Sequence, residues 1–236
     1  EDDNDGFYDW CIKIAEDDNV DENLRGITEY FLGRMYQEGK RVKQNIEESI
    51  KWYQKAVEHK ENKSLKVLGQ IYYAAGPYQD YKKALKYFEM VYDSFDDKEI
   101  AFIVGQMYEK GLGTTQNLTN AEKWYVYAAS SEHNPSLYSF SYKNSKNGQA
   151  LYALATLYLH SFNYRYFDVN DSNIINLLVR KSKMWSFAKL EVNASYIINL
   201  LVRAAEEGNI SAQRELAIIG YKNPYVYINI SVDSKE

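Results

Sequence analysis

The sequence predicts an all-α solenoid, with antiparallel helix hairpins stacked into a right-handed superhelix. Three observations point there. Gly33, Gly69 and Gly105 recur every 36 residues, each just after Leu or Val and three residues before a tyrosine. An aromatic phrase keeps step with them: KWYQKA at 51–56, KYFEMV at 86–91 and KWYVYA at 123–128. Between the two phrases comes a glycine turn, Gly39, then Gly76-Pro77, then Gly111 and Gly113. A period of this size is the signature of a repeat array. With only three prolines in 236 residues, little interrupts long helices.

The elements follow in order. Residues 1–22 hold ten acids and one base, Lys13, and read as a solvated end. The remainder carries 27 bases and 23 acids, which offers no basic stripe for nucleic acid. FYDWCIKIAE, residues 7–16, reads as the second helix of a truncated preceding unit, with Cys11 a buried small hydrophobe. A lone cysteine excludes a disulfide framework and a thiolate metal cluster. In the first full unit, Leu32 and Tyr36 share one face of helix A. Gly33 between them costs that helix about 1 kcal/mol relative to alanine. Its recurrence predicts that helix B approaches the bare backbone there, with Ala56, Ala84 and Ala121 suited to the other side of the contact. Gly39 ends helix A in the left-handed conformation. Asn45 caps helix B, Glu48 completes a capping-box pattern, and Asp80 and Asn117 stand at the equivalent place in later units. Trp52, Tyr53 and Ala56 form the apolar face of helix B. Each repeat is therefore an A–B hairpin.

After three regular units the pattern loosens. ALYALATLY carries Ala155 where glycine stood and Tyr158 where tyrosine belongs, 50 residues beyond Gly105. About 14 residues are thus inserted around 131–148, relative to the period of the solenoid. IINLLVR occurs at 174–180 and again at 197–203, where it runs into AAEEGNISA. The first copy is either an additional helix or the true B helix followed by a degenerate A helix through MWSFAKLEV. Residues 211–220 read as a closing A helix, and KNPYVYINISV alternates like a short strand or an extended arm. The expected divisions are 1–28, an acidic start with the truncated repeat; 29–130, three regular repeats; 131–148, an insertion; 149–220, a degenerate fourth repeat with an inserted helical segment and a closing helix; and 221–236, a tail.

These phrases resemble the Sel1-like repeat, a relative of the tetratricopeptide repeat. Residues 29–131 match its pattern in three consecutive units, and EKGLGTTQNLTNAEKWYVYAA is the nearest copy, with Gly111, Gly113, Ala121, Trp124, Tyr125, Ala128 and Ala129 in place. Ala204, Ala205, Gly208 and Ala212 resemble the end of a unit. The resemblance implies a scaffold that binds another protein. It implies three settings: an exported bacterial binder such as an immunity or adaptor protein, a host-interaction effector, or an endoplasmic-reticulum adaptor in protein degradation. Six glycosylation triplets, at Asn62, Asn117, Asn170, Asn193, Asn209 and Asn229, favour an exported chain.

No catalytic constellation accompanies the repeat. His59, His133 and His160 share no spacing with acids or cysteine, and no metal, phosphate or nucleophile motif appears. The expectation is a protein that is not an enzyme, takes no cofactor or metal, binds no nucleic acid, does not insert directly into a membrane and has no small-molecule substrate. Its partner is expected on the concave A-helix surface, on a stripe two residues before, two after and five after each repeat leucine. Those positions are Tyr30, Arg34 and Gln37; Lys66, Gln70 and Tyr73; Phe102, Gln106 and Glu109; and Tyr152, Thr156 and Leu159. Tyrosine and arginine of this kind are enriched at interfaces. The stripe is expected to look away from helix B; the alternative is that its members pack between neighbouring A helices.

Overall fold

The structure, a computed structural model, describes residues 5–94, 97–130, 147–161 and 194–222. Among them lie ten helices and no strand: α1 (Asp5–Glu16), α2 (Glu22–Glu38), α3 (Ile46–Glu58), α4 (Lys63–Tyr73), α5 (Tyr81–Ser94), α6 (Lys98–Lys110), α7 (Leu118–Ala129), α8 (Gly148–Ser161), α9 (Ala194–Glu206) and α10 (Ile210–Lys222). The fold class is the all-α solenoid of helical repeats. The chain divides into two compact units, Glu1–Asn117 and Leu118–Glu236. In the first, α2 pairs with α3 and α4 with α5, while α1 packs on α2, α3 on α4 and α5 on α6. In the second, α7 packs on α8, α8 on α9 and α9 on α10.

The α2–α3 and α4–α5 hairpins each close on a glycine. A methyl group at Gly33 would lie 2.7 Å from ring carbons Cδ1 and Cε1 of Tyr53, and one at Gly69 would overlap the Phe88 ring. Both rings are fully buried. The expected alanine contact is therefore corrected. Ala56, Ala84 and Ala121 are buried, but the atoms that face Gly33 and Gly69 belong to the aromatic ring of helix B.

Polar residues fix the turns. Gly39 and Gly111 end α2 and α6 at φ 69°, and their N–H groups donate to the carbonyls of Met35 and Met107. The residue that opens each B helix then binds back to helix A. Asn45, Asp80 and Asn117 donate their N–H to the carbonyls of Tyr36, Tyr72 and Tyr108 at 2.8–2.9 Å. Asn45 Oδ1 accepts from the Glu48 N–H at 3.1 Å and Asp80 Oδ1 from the Lys83 N–H at 3.0 Å, which makes both N-caps. The Glu48 carboxylate does not complete a capping box; it accepts from Lys51 Nζ at 2.6 Å.

The repeat tyrosine then reaches the B helix of the unit before it. Tyr36 Oη meets Tyr8 Oη of α1 at 2.9 Å, Gln54 Nε2 of α3 donates to Tyr72 Oη at 3.5 Å, and Tyr108 Oη donates to Glu89 Oε1 of α5 at 2.5 Å. In the second unit Tyr158 Oη donates to Glu122 Oε1 of α7 at 2.7 Å, with both side chains buried. The position of α1 against α2 fits its reading as a B helix. Cys11 is fully buried beside Leu32 and Met35.

Of the two IINLLVR copies, only the second lies among the described residues. α9, which carries the second copy, packs on α8, and Gly148 at the start of α8 faces the Ala204 carbonyl, where a methyl group would come within 2.9 Å. Gly26 holds the same place in α2, seven residues before the repeat glycine, and faces the His59 carbonyl. The first copy, the tail, and the inserted segments at 131–146 and 162–193 lie outside the described residues.

Two outcomes follow. Gly69→Ala pushes a methyl group into a buried ring and should cost about 1–3 kcal/mol in urea or thermal unfolding. Gly6→Ala, whose methyl group meets nothing within 4 Å, should be neutral or stabilise by less than about 1 kcal/mol. The second outcome concerns Glu122. Burial raises its carboxyl above the usual 4.5, with the Tyr158 hydrogen bond pulling the other way. The folded form therefore holds this proton more tightly than the unfolded chain. Its contribution is full below about 4.5 and is lost as pH rises through the raised folded value. Glu122→Gln removes that loss, so its stability relative to the parent should climb from acid toward neutral pH in parallel urea titrations.

Candidate functional site

Successive A helices of the first unit leave a groove between them. It encloses about 560 Å³ and is lined by Tyr30 of α2, by Lys63, Lys66, Val67 and Gln70 of α4, by Val91 of α5, and by Asp97 and Lys98 where α6 begins. Val67 and Val91 give an apolar floor, Val91 almost wholly buried. Tyr30 forms one wall, its ring centroid 5.7 Å from that of Tyr53, the ring that covers Gly33. The contact that closes the hairpin thus also fixes the wall of the groove.

The rim is basic. Lys63 and Gln70 are exposed. Lys66 Nζ lies 2.7 Å from Asp97 Oδ2 and 3.9 Å from Glu99 Oε2, which ties α4 to α6. Asp97 serves twice, since its Oδ1 accepts from the Ile100 N–H at 3.1 Å as the N-cap of α6. The lining itself holds three lysines and one aspartate, with Glu99 standing beside Lys66.

Of the stripe residues, Tyr30, Lys66 and Gln70 meet in this groove. Arg34 does not join them. It pairs with Glu38 at 3.0 Å and lines a separate hollow of about 260 Å³ with Phe7 and Phe31. The expectation that the stripe looks away from helix B is corrected. Its outer members stand three residues before and four after the repeat glycine, hence on the face that the B-helix ring covers. Gln37 Oε1 accepts from Tyr53 Oη at 2.7 Å, and Tyr73 packs against Tyr81 and Phe88. Phe102, Gln106 and Glu109 are half-buried on α6, and the Glu109 carbonyl accepts from Gln116 Nε2 at 2.8 Å.

In the second unit Tyr152 leans toward α10. Burial and the Glu215 carboxylate raise its hydroxyl pKa, while a hydrogen bond with Ser211 lowers it. Thr156 Oγ1 donates to the Ala153 carbonyl at 2.9 Å, and Leu159 is buried. Sequence reasoning missed Lys63, Val67 and Asp97. The signal for the first two was present: they stand five and one residues before Leu68, along the edge of α4 beside the stripe.

Among the described residues no group of three or more His, Cys, Asp or Glu is placed to hold a metal, and no helix is long and apolar enough to cross a membrane. The family model described as Sel1 repeat matches residues 27–60, 66–93 and 101–133. These segments take in most of α2–α3, α4–α5 and α6–α7. No curated protein matches the chain. Among solved structures, a Sel1 repeat protein from Oxalobacter formigenes is 28% identical over 44% of this chain and 78% of its own, at TM-score 0.38. A protective antigen present in uropathogenic Escherichia coli strains, displaying an SLR fold, is 21% identical over 92% of this chain at TM-score 0.42. The present chain spans 56% of that antigen's length.

The double role of Asp97 is open to measurement. Asp97→Asn keeps a capping oxygen and gives up the half-exposed ion pair, and should shift stability by less than about 1 kcal/mol. Asp97→Ala gives up both and should cost about 1–2 kcal/mol by urea unfolding.

Proposed function

We propose, for a chain that is a Sel1-like repeat protein, that it works as a non-catalytic scaffold and holds another protein in the groove between α2, α4 and α6. Sel1 repeat proteins are generally protein-interaction scaffolds. The observation that carries the reading to this site is the combination of an apolar floor, Val67 and Val91, an aromatic wall, Tyr30, and a basic, solvent-facing rim. A floor of that kind takes up one apolar side chain of a partner, and the rim sets its orientation through charged neighbours. In this reading Tyr30, Lys66 and Gln70 are contact residues, with Lys63 beside them. Tyr73 and Gln37 serve by holding the hairpin. The chain then acts as an immunity or adaptor protein does, by occupying a partner's surface and leaving its chemistry unchanged.

The test compares affinity capture by the parent, by a Lys63→Glu/Gln70→Ala variant, and by a control with Lys51→Glu/Lys86→Glu on the exposed sides of α3 and α5. Proteins retained by the parent and the control should be lost from the groove variant, at least tenfold by quantitative mass spectrometry, for about 1.4 kcal/mol or more. Undiminished capture by the groove variant would remove the site from this groove.

A further inference from the structure

The groove between α2, α4 and α6 lies wholly within the first unit, and its polar groups are not equivalent. Lys66 is held between Asp97 and Glu99, at 2.7 and 3.9 Å, so its charge is answered from within the protein. Lys63 is exposed, and its ammonium group forms no ion pair among the described residues. Gln70 is exposed as well, and its side-chain amide makes no hydrogen bond among them. A cation and an amide thus stand open on either side of Val67.

The repeat itself does not ask for a lysine there. The residues five before the repeat leucine or valine are Ile27, Lys63 and Glu99 in successive units. The local structure of α4 uses only the backbone of Lys63, whose N–H donates to Glu61 Oε1 at 3.1 Å. The side chain is left to solvent or to a partner.

Spacing narrows what that partner presents. Lys63, Val67 and Gln70 follow one another along α4, the first two separated by a rise of about 6 Å. Alternate residues of an extended chain, which face the same side, are about 6.6–6.8 Å apart. An extended segment running along α4 can therefore set one side chain at Lys63 and the next on the same side at Val67. The floor of Val67 and Val91, walled by Tyr30, suits an apolar group. A nucleic-acid backbone needs a row of cations, whereas here Asp97 and Glu99 occupy the lysine next in line.

We propose, resting on the reading that a protein partner occupies this groove, that the bound segment is extended and acidic. Its Asp or Glu side chain pairs with Lys63, and two residues away an apolar side chain seats on Val67 and Val91 beside Tyr30. The Gln70 amide, both donor and acceptor, meets the backbone of the segment. The apolar side chain supplies the larger share of the affinity, and the carboxylate fixes register and excludes basic partners.

The test selects ligands for the full chain from phage-displayed random peptides. Retained peptides should carry Asp or Glu two positions from Leu, Ile, Val, Met or Phe more often than the unselected library does. Made with a fluorescent label, they should bind the Lys63→Glu variant at least tenfold more weakly than the parent by fluorescence anisotropy. Their affinity for the parent should fall as NaCl rises from about 50 mM to about 0.5 M. Selection on Lys63→Glu itself should return Lys or Arg in place of the acid, a reversal that misfolding cannot produce. Peptides that are lost with Val67→Asn but show no acidic excess would overturn the proposal and leave the groove as the binding site. Acidic peptides that bind Lys63→Glu as tightly as the parent would overturn it too. So would a selection with no Val67-dependent peptide, and the affinity capture described above then decides separately whether a folded partner uses the groove.

Discussion

An aromatic ring of helix B set against a stretch of helix A that has no side chain is the contact on which the rest of the first unit depends. Tyr53 meets Gly33, and Phe88 meets Gly69. Glycine costs helix A about 1 kcal/mol, while burying a ring of this size gains about 1.5–3 kcal/mol. The balance favours the close approach. That approach brings the start of helix B within hydrogen-bond reach of the repeat tyrosine's carbonyl, so the turn follows from the packing. It also leaves the tyrosine ring directed outward from the hairpin, where its hydroxyl finds the preceding B helix. One contact inside each hairpin thereby sets the spacing between hairpins.

Buried charge enters where the hairpins could not be sealed with apolar groups alone. Glu29 is almost fully buried, and its Oε2 lies 2.7 Å from Nδ1 of His59. Arg25 Nη2 lies 2.7 Å from the other ring nitrogen, Nε2. Arginine only donates, so Nε2 accepts and Nδ1–H donates to the carboxylate. The ring is a structural bridge between α2 and α3. Burial raises the Glu29 carboxyl, with His59 lowering it. At Glu122 the same burial is answered by a tyrosine hydroxyl, which donates without bringing a charge of its own.

Periodicity made the helices, the glycine turns and the capping residues legible, because each depends on neighbours within a few positions. Asn45, Asp80 and Gly111 do what their local sequence implies. What periodicity could not supply was the side of helix A that helix B would cover. The stripe containing Tyr30, Gln37 and Tyr73 was placed by angle from the repeat leucine, yet the ring of Tyr53 or Phe88 lies over the glycine one residue later. That shift turns Gln37 and Tyr73 inward and leaves Tyr30, Lys66 and Gln70 along a groove. His59 was likewise opaque, since its acid stands 30 residues away in the chain and meets it only across the hairpin.

The groove edge of α4 and the exposed edge of α2 occupy the same positions of the repeat with different side chains. That edge stands five and one residues before the repeat leucine, and in α4 it faces Tyr30 of α2. With Lys63 and Val67 on that edge, and Lys66 drawn toward Asp97, the lysines keep their charges in water and the junction stays open. In α2 the same positions are Ile27 and Phe31, and the hollow beside Phe31 is lined by Phe7 together with the charged Arg34, Glu38 and Arg41. Because the ring-on-glycine contact fixes the helices independently of these edges, their side chains are free to differ from unit to unit. The recognition surface proposed above accordingly uses positions that the repeat leaves free, along the groove between α2, α4 and α6.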